Sequence, residues 1–308
     1  MRKYYLVALT ILLSSSHPLC AQDRSTDAKL QSRIAALLEG FHGKVGVFVA
    51  NLKTGKTAAI NADSLFPTAS QVKVSILLGV MDKIRTGQLD YHQVMIYKDS
   101  LHYAGVDILG SFKDGEKIEL SKIMMLMLTM SDNTASLWLQ GLAGGGIRIN
   151  QLLDSLGFHD YRVNSRTPGR EAIRNVYGWG QTTPREMVRI FQMIHDGKVL
   201  SPAVSERMLR LLGRDYWDEY ALSQIPPDIF AACKGGAVDQ SRSETVLVSA
   251  PHGTYIFSVE TKDLTDTTWQ PNNEGWVLAR RLSHLLWDYF EPHSDWRPST
   301  SPEGKVDW

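Results

Sequence analysis

Two periodicities alternate along this chain, and their order limits the folds open to it. Val45, Val47 and Val49 recur at every second residue, Lys53-Thr54-Gly55-Lys56 supplies a turn, and Ala58 and Ile60 return, so residues 44–60 read as a β-hairpin. Such alternation comes back only late, over Glu244 to Ser249 and Thr254 to Thr261, on either side of Pro251-His252-Gly253. The stretch between them follows the helical spacing of three and four residues. Phe66-Pro67 stops the first hairpin and opens an apolar helix from Ser70 to Met81. Residues 120–142 carry the longest helical pattern, and 149–156 and 184–196 add others. Thr183, Pro184 and Glu186 have the form of a capping box, which makes Glu186 structural. Leu30, Ile34, Leu37 and Leu38 share one face over 27–41, and residues 275–290 close as an amphipathic helix. Hairpin, helical middle, hairpin, helix is an α+β order. It implies one domain over 22–290: an antiparallel sheet flanked by helices from 22–62 and 215–290, and an all-helical subdomain from 63–214. Beyond Glu291 the chain turns to Pro, Ser and charge, and a disordered tail is expected over 291–308.

The first residues act as an address. Arg2 and Lys3 precede an apolar run, Tyr4 to Leu13, of about ten residues, too short to span a bilayer as a helix. A small and polar stretch ending Leu19-Cys20-Ala21 offers a signal-peptidase site, so residues 1–21 read as a signal peptide and the mature protein as periplasmic or secreted. A buried N-terminal helix fits poorly with the uncapped Gln22-Asp23-Arg24, and lipidation at Cys20 fits poorly with Pro18 and Leu19. The sequence holds 33 basic and 33 acidic residues. Losing Arg2 and Lys3 leaves the mature chain slightly acidic with no basic stripe, so neither nucleic acid nor an anionic membrane is an expected partner. After cleavage Cys233 is the remaining cysteine, which excludes an intrachain disulfide. Stability must come from an apolar core, and the chain is long enough to bury one. A monomer is expected.

Three short motifs carry chemistry. The first is Ser70-Gln71-Val72-Lys73, whose spacing puts serine and lysine on one helix face, a turn apart. Ser70 at a helix start can offer its own N–H to a developing oxyanion. Lys73, among Val72, Val74, Ile76 and Leu77, would be desolvated and able to act as a base toward Ser70. Alone the pattern is cheap, arising by chance on the order of once in a chain of this size, and a helix cap with a snorkelling lysine is then the plainer reading. The second is Ser131-Asp132-Asn133, after the apolar run Ile123 to Met130. Ser131 can pass a proton to a departing nitrogen and Asn133 can bond Lys73 and a substrate amide, while Asp132 holds backbone groups in the turn; a polar kink is the plainer reading. The third is Lys234-Gly235-Gly236-Ala237. Lys234 can carry charge to a substrate carboxylate, the Ala237 N–H can be a second oxyanion donor, and glycines such as Gly236 let the strand approach a ligand closely.

Taken together, these motifs resemble the serine β-lactamase and penicillin-binding DD-peptidase superfamily, closest to the class A β-lactamases, whose signatures are Ser-x-x-Lys, Ser-x-Asn and Lys-Thr/Ser-Gly. The similarity runs from about Val45 to Thr261 and includes Gly105 to Gly115, Thr134-Ala135 and Thr182-Thr183-Pro184. It implies a β-lactamase/transpeptidase-like fold, Ser70 as covalent nucleophile, β-lactam hydrolysis, and no cofactor. Two departures stand out. Gly235 removes the hydroxyl that in the family helps to bind the substrate carboxylate, and Arg242 is the residue expected to compensate, against a reading as a surface arginine. The family's deacylating glutamate on the Ω loop falls, by spacing from Thr182-Thr183-Pro184, on Thr167 beside Pro168; matching its Glu-x-x-x-Asn pattern instead picks Glu171 and Asn175. Glu171 is the expected base, against a loop glutamate between Arg170 and Arg174.

Several other features are read as bland. Lys53-Thr54-Gly55 copies the third motif but precedes Ser70 and fits a hairpin turn; Gly55-Lys56-Thr57 lacks the first glycine of a phosphate loop, Ala50 standing there. The histidines show no paired ligand spacing, so no metal is expected. Met124, Met125, Met127 and Met130 read as core filling, Cys233 as a small buried strand residue, and Gly144-Gly145-Gly146 as an interhelix loop. Two rival functions remain: a DD-peptidase or esterase acting on peptidoglycan peptides, and a β-lactam receptor that stays acylated, to which Thr167 points.

Overall fold

The computed structural model describes residues 25–305; the expected leader, residues 1–21, lies outside the described residues. After α1 (Ala28–Leu37), β1 (Lys44–Asn51) and β2 (Thr57–Ile60) form the expected hairpin, and β3 (Phe66–Pro67) leads into α2 (Val72–Arg85). β4 (Val94–Ile96) and β5 (Lys117–Glu119) pair as a ribbon. The middle then runs through α3 (Leu120–Met125), α4 (Asn133–Leu142), α5 (Gly145–Ser155), β6 (Arg162–Val163), α6 (Glu171–Tyr177), β7 (Gly180–Thr182), α7 (Pro184–His195) and α8 (Pro202–Leu212). β8 (Ala231–Val238), β9 (Ser241–Val248), β10 (Tyr255–Lys262) and α9 (Glu274–Phe290) complete the fold.

The main sheet has the order β2-β1-β10-β9-β8, all antiparallel, with Val47 opposite Val259 where the two chain ends meet. This is the α+β architecture the order of periodicities implies. Side-chain alternation divides the apolar residues between two cores. Val47, Val49, Val246 and Phe257 face α1 and α9, against Leu30, Ile34, Leu282 and Leu286. Phe48, Leu247 and Ile256 face a larger core under α2, α4 and α7. Each such side chain taken out of water contributes roughly 1.5–3 kcal/mol, which is how a chain without a described disulfide holds its sheet. Among the described residues no helix is long and apolar enough to cross a membrane.

Three expectations change. The pattern over 120–142 does not make one helix: α3 ends at Met125, residues 126–130 widen into a π turn, and Ser131 takes a left-handed φ of 60°. Asp132 then caps α4, accepting from Ala135 N at 2.7 Å, while its other oxygen accepts from Ile108 N at 2.6 Å and Leu109 N at 3.0 Å. Both halves bury apolar faces, so periodicity alone cannot expose the break. The tail is also not the disordered segment expected over 291–308, as far as Lys305. Trp296 meets Trp287 edge-on at 6.3 Å, the Gln224 amide donates to Thr300 O at 2.7 Å, and Arg280 Nε donates to Pro302 O at 2.8 Å. One aromatic anchor and its carbonyls outweigh a Pro- and Ser-rich composition. Finally, Gly145 and Gly146 open α5 instead of lengthening a loop.

The cap of α7 works by a different route from a capping box. Thr183 accepts from Glu186 N at 3.2 Å, but the Glu186 carboxylate accepts from the N–H groups of His159, Asp160 and Tyr161. That ties the segment before β6 to α7.

Candidate active site

Ser70 sits in a 3-10 turn, Ala69–Gln71, that runs directly into α2. Ala69 has a φ of 42°, a left-handed conformation that costs a non-glycine residue roughly 1–3 kcal/mol and persists only when its surroundings demand it. Those surroundings are visible. Thr68 N–H donates to Gly180 O at 3.0 Å. The edge strand β8 presses so closely on the turn that a Cβ on Gly236 would lie 2.4 Å from Thr68 O and 2.9 Å from Ser70 N. Position 236 has no room for a side chain because the backbone of residues 68–70 occupies it.

The Lys73 amine is wholly buried and converges on both serines. Its Nζ lies 2.9 Å from Ser70 Oγ, 3.0 Å from Ser131 Oγ, 2.6 Å from Ser131 O and 2.9 Å from Asn133 Oδ1. The left-handed turn at Ser131 is what aims that residue's carbonyl and hydroxyl at one atom. Burial pushes Lys73 well below the usual lysine range and the charge on Lys234 pushes the same way, while Asp132 and Asp215 oppose both. A neutral amine has two N–H groups and one lone pair. The two obligate acceptors, Ser131 O and Asn133 Oδ1, take the donors and leave the lone pair for a serine hydroxyl. That is the arrangement of a base beside a nucleophile.

Lys234, buried on β8, lines a cleft of about 590 Å³ together with Ser70, Ser131, Asn133, Gly236 and Ala237. A second cleft of about 650 Å³ shares Ser70, Asn133 and Ala237, so Ser70 lies where the two meet. A family model of the β-lactamase enzyme family matches residues 29–290. The chain belongs to the β-lactamase enzyme family. It is 26% identical to a β-lactamase of Streptomyces fradiae over 85% of this chain and 87% of that protein. In fold it is similar to PBP-A, with a TM-score of 0.77, 23% identity, and 87% of this chain and 98% of that one covered. It is also similar to a class A β-lactamase from Mycobacterium abscessus, with a TM-score of 0.75, 20% identity, and 85% and 99% covered.

Two residues expected at the site of this β-lactamase-family chain stand differently from the expectation. Arg242 is fully buried and does not present its guanidinium to an anion. Nη1 donates to the carbonyls of Val238 and Ser241 and Nη2 to Thr268 O at 2.7 Å, while the group lies 4.3 Å from the ring centre of Trp269 and 4.5 Å from that of Trp276. Carbonyl acceptors and two indole faces hold both Nη atoms, Nε has no hydrogen-bond partner among the described residues, and Arg242 forms part of the wall of the cleft that Lys234 lines. Glu171 is the second correction. It is exposed at the first position of α6, accepts from Gly169 N at 3.1 Å, and lines neither cleft. The alternative position is filled by Thr167, buried with its hydroxyl donating to Ser165 O at 2.9 Å.

Other groups that line the clefts were not singled out in the sequence. Trp179 puts its ring 6.0 Å from Lys73 Nζ and meets Tyr103 edge-on at 5.3 Å. Asp215, Trp217 and Tyr220 come from the segment after α8, and burial pushes the Asp215 carboxyl up. None belongs to a spaced motif; the only signal was tryptophan in otherwise polar loops. Glu244, across the ladder from Gly235, accepts from Ala221 N at 3.0 Å and from the Cys233 thiol at 3.1 Å. Burial pushes Glu244 up to about 7 and the thiol well above its usual range, so Cys233 is an inert core residue.

Proposed function

We propose that this chain hydrolyses β-lactams through an acyl-enzyme on Ser70. The observation that carries the reading is the buried Lys73 amine within 3.0 Å of both Ser70 Oγ and Ser131 Oγ. Lys73 takes the proton of Ser70 as Oγ bonds to the lactam carbonyl carbon. The N–H groups of Ser70 and Ala237 hold the oxyanion. As the lactam C–N bond breaks, Ser131 gives its proton to the departing nitrogen and is reprotonated from Lys73. Asn133 holds the substrate amide, Lys234 supplies positive charge, and Gly236 lets β8 lie against the acyl group. Water then attacks the ester, and splitting the reaction in two lowers each barrier separately. Residues 1–21 direct export, and the mature protein works in the periplasm or outside the cell as a monomer.

A second reading, a protein that acylates and releases its product slowly, is favoured by one observation: the Ω segment brings no carboxylate to the clefts at Ser70. Intact mass after mixing the mature protein with a penicillin separates the two. A transient adduct with product formation is expected of a hydrolase, and an adduct that persists supports the slower protein. If no adduct forms, or if Ser70→Ala still carries one, the scheme is wrong.

A further inference from the structure

Behind the nucleophile turn, on the side away from the clefts, four polar side chains are sealed in the sheet. Gln71, next to Ser70, points into it and is fully buried, as are Thr245 on β9 and Ser258 and Glu260 on β10. The Gln71 carboxamide lies 3.1 Å from Thr245 Oγ1, Thr245 Oγ1 lies 2.9 Å from Ser258 Oγ, and Ser258 donates to Glu260 Oε1 at 2.7 Å. Gln71 and Ser243 also reach the Glu260 carboxyl, and with Ser258 they oppose the upward push of burial. Two atoms of this group, Gln71 Nε2 and Glu260 Oε2, have no hydrogen-bond partner among the described residues. A carboxamide's oxygen and nitrogen are assigned from the network around them. Turning the Gln71 amide over, with Glu260 protonated, pairs everything: Glu260 O–H donates to Gln71 Oε1, Gln71 N–H to Thr245, Thr245 to Ser258, and Ser258 back to Glu260. An ionised Glu260 cannot close that ring.

Among the described residues no cation offsets a charge there. On β1 the residue opposite is Gly46, whose Cβ would lie 2.5 Å from the Phe66 ring and 2.8 Å from Pro184, so β3 and α7 cover the site with apolar atoms. From β9 come Ser243 and Thr245. On α7, Arg185 is engaged with Asp63, Glu186 with backbone N–H groups and Arg189 with the carbonyls of Leu156 and Gly157. Lys262, farther along β10, donates to Leu65 O at 2.7 Å. Tyr161, a further titratable group behind the turn, donates to Gln71 O at 2.8 Å and accepts from Ser75 N at 3.0 Å.

We propose that Glu260 is held as a neutral carboxylic acid that closes this ring and positions the Ser70 turn through Gln71, and that its ionisation slows attack by Ser70. The inference rests on Ser70 being the nucleophile. Ionising Glu260 opens the ring and places a negative charge with no counter-ion behind the donors that must hold a developing oxyanion. Burial raises the Glu260 carboxyl to about 7, so the change falls within the working range. Glu260 touches no reacting atom and is a positioning residue.

The test is the pH dependence of Ser70 labelling, with a penicillin and with a fluorophosphonate as separate probes. In the wild type the rate should rise as Lys73 loses its proton and fall again above neutral pH. Glu260→Gln, which keeps the ring and cannot ionise, should lose the fall and react about tenfold faster than wild type at alkaline pH, the scale of one charge felt across several ångströms. Glu260→Met, uncharged but unable to close the ring, should also lose the fall from a lower plateau. A merely structural role would slow Glu260→Gln at every pH, and either that result or an unchanged alkaline limb overturns the proposal. Labelling by the fluorophosphonate without a penicillin adduct would instead refute the β-lactam reading, leaving Glu260 to be judged on the fluorophosphonate profile.

Discussion

At the scale of single residues, the site depends on which side chains are desolvated and which are not. In the proposed scheme Lys73 acts as a base because burial favours its neutral form; an arginine in its place would stay charged, and an alanine would leave no base. Lys73→Ala and Lys73→Arg should each lower the acylation rate constant by about 10²–10⁴-fold, measured by stopped-flow with a chromogenic cephalosporin. Acylation of the wild type should strengthen as pH rises through the depressed Lys73 ionisation, because the neutral amine is the active form. Glu171 makes the opposite case. Exposed and bonded only within its own loop, it should be dispensable, and Glu171→Gln should leave steady-state turnover within about twofold of wild type. A variant that accumulates acyl-enzyme would restore Glu171 to the mechanism.

At the scale of elements, the catalytic geometry is a matter of close approach. β8 can lie against the Ser70 turn only because position 236 lacks a side chain: a Cβ there would sit 2.9 Å from Ser70 N, whereas a Cβ at Gly235 meets nothing nearer than 3.7 Å. Gly236→Ala should therefore push the strand away and reduce acylation by at least about 10²-fold, the cost of misplacing reacting groups by an ångström. Gly235→Ala should fold and acylate as wild type does. Circular dichroism with single-turnover kinetics on the pair distinguishes displacement of the strand from general instability. The break between α3 and α4 belongs to the same scale. Asp132 gathers three backbone N–H groups, and that cap leaves Ser131 in the left-handed turn from which it reaches Lys73.

At the scale of the whole molecule, two buried glutamates make stability depend on pH in a definite sense. Glu260 and Glu244 rise from 4.5 to about 7 on folding. The folded protein holds these protons more tightly than the unfolded chain does. Their contribution is thus full below pH 4.5 and is lost as pH rises through about 7. For Glu260 alone the swing is on the order of 3 kcal/mol. Urea midpoints should fall across that interval, and Glu260→Gln should flatten part of the decline. A wild-type midpoint that stays level between those limits would show that Glu260 is ionised in the native state. The ordered tail acts at this scale as well, binding residues 296–302 back onto α9 and the loop before β8.

The sequence alone settled what local rules can settle. The two hairpins, the helical middle and the closing helix were legible because alternation and helical spacing are properties of neighbouring residues. So was the pairing of Ser70 with Lys73, which is one helical turn. What it could not decide was anything set by contacts distant along the chain. Arg242 lines the cleft but turns its Nη atoms to carbonyls and its face to two tryptophans, and Glu171 stayed on the surface because α6 begins there. Trp179 and Asp215 reached the clefts with no motif to announce them. The ring of Gln71, Thr245, Ser258 and Glu260 joins three elements whose proximity only the antiparallel register of β9 and β10 creates. Burial makes an amine neutral or an acid hold its proton, and burial is a property of packing that no residue carries by itself.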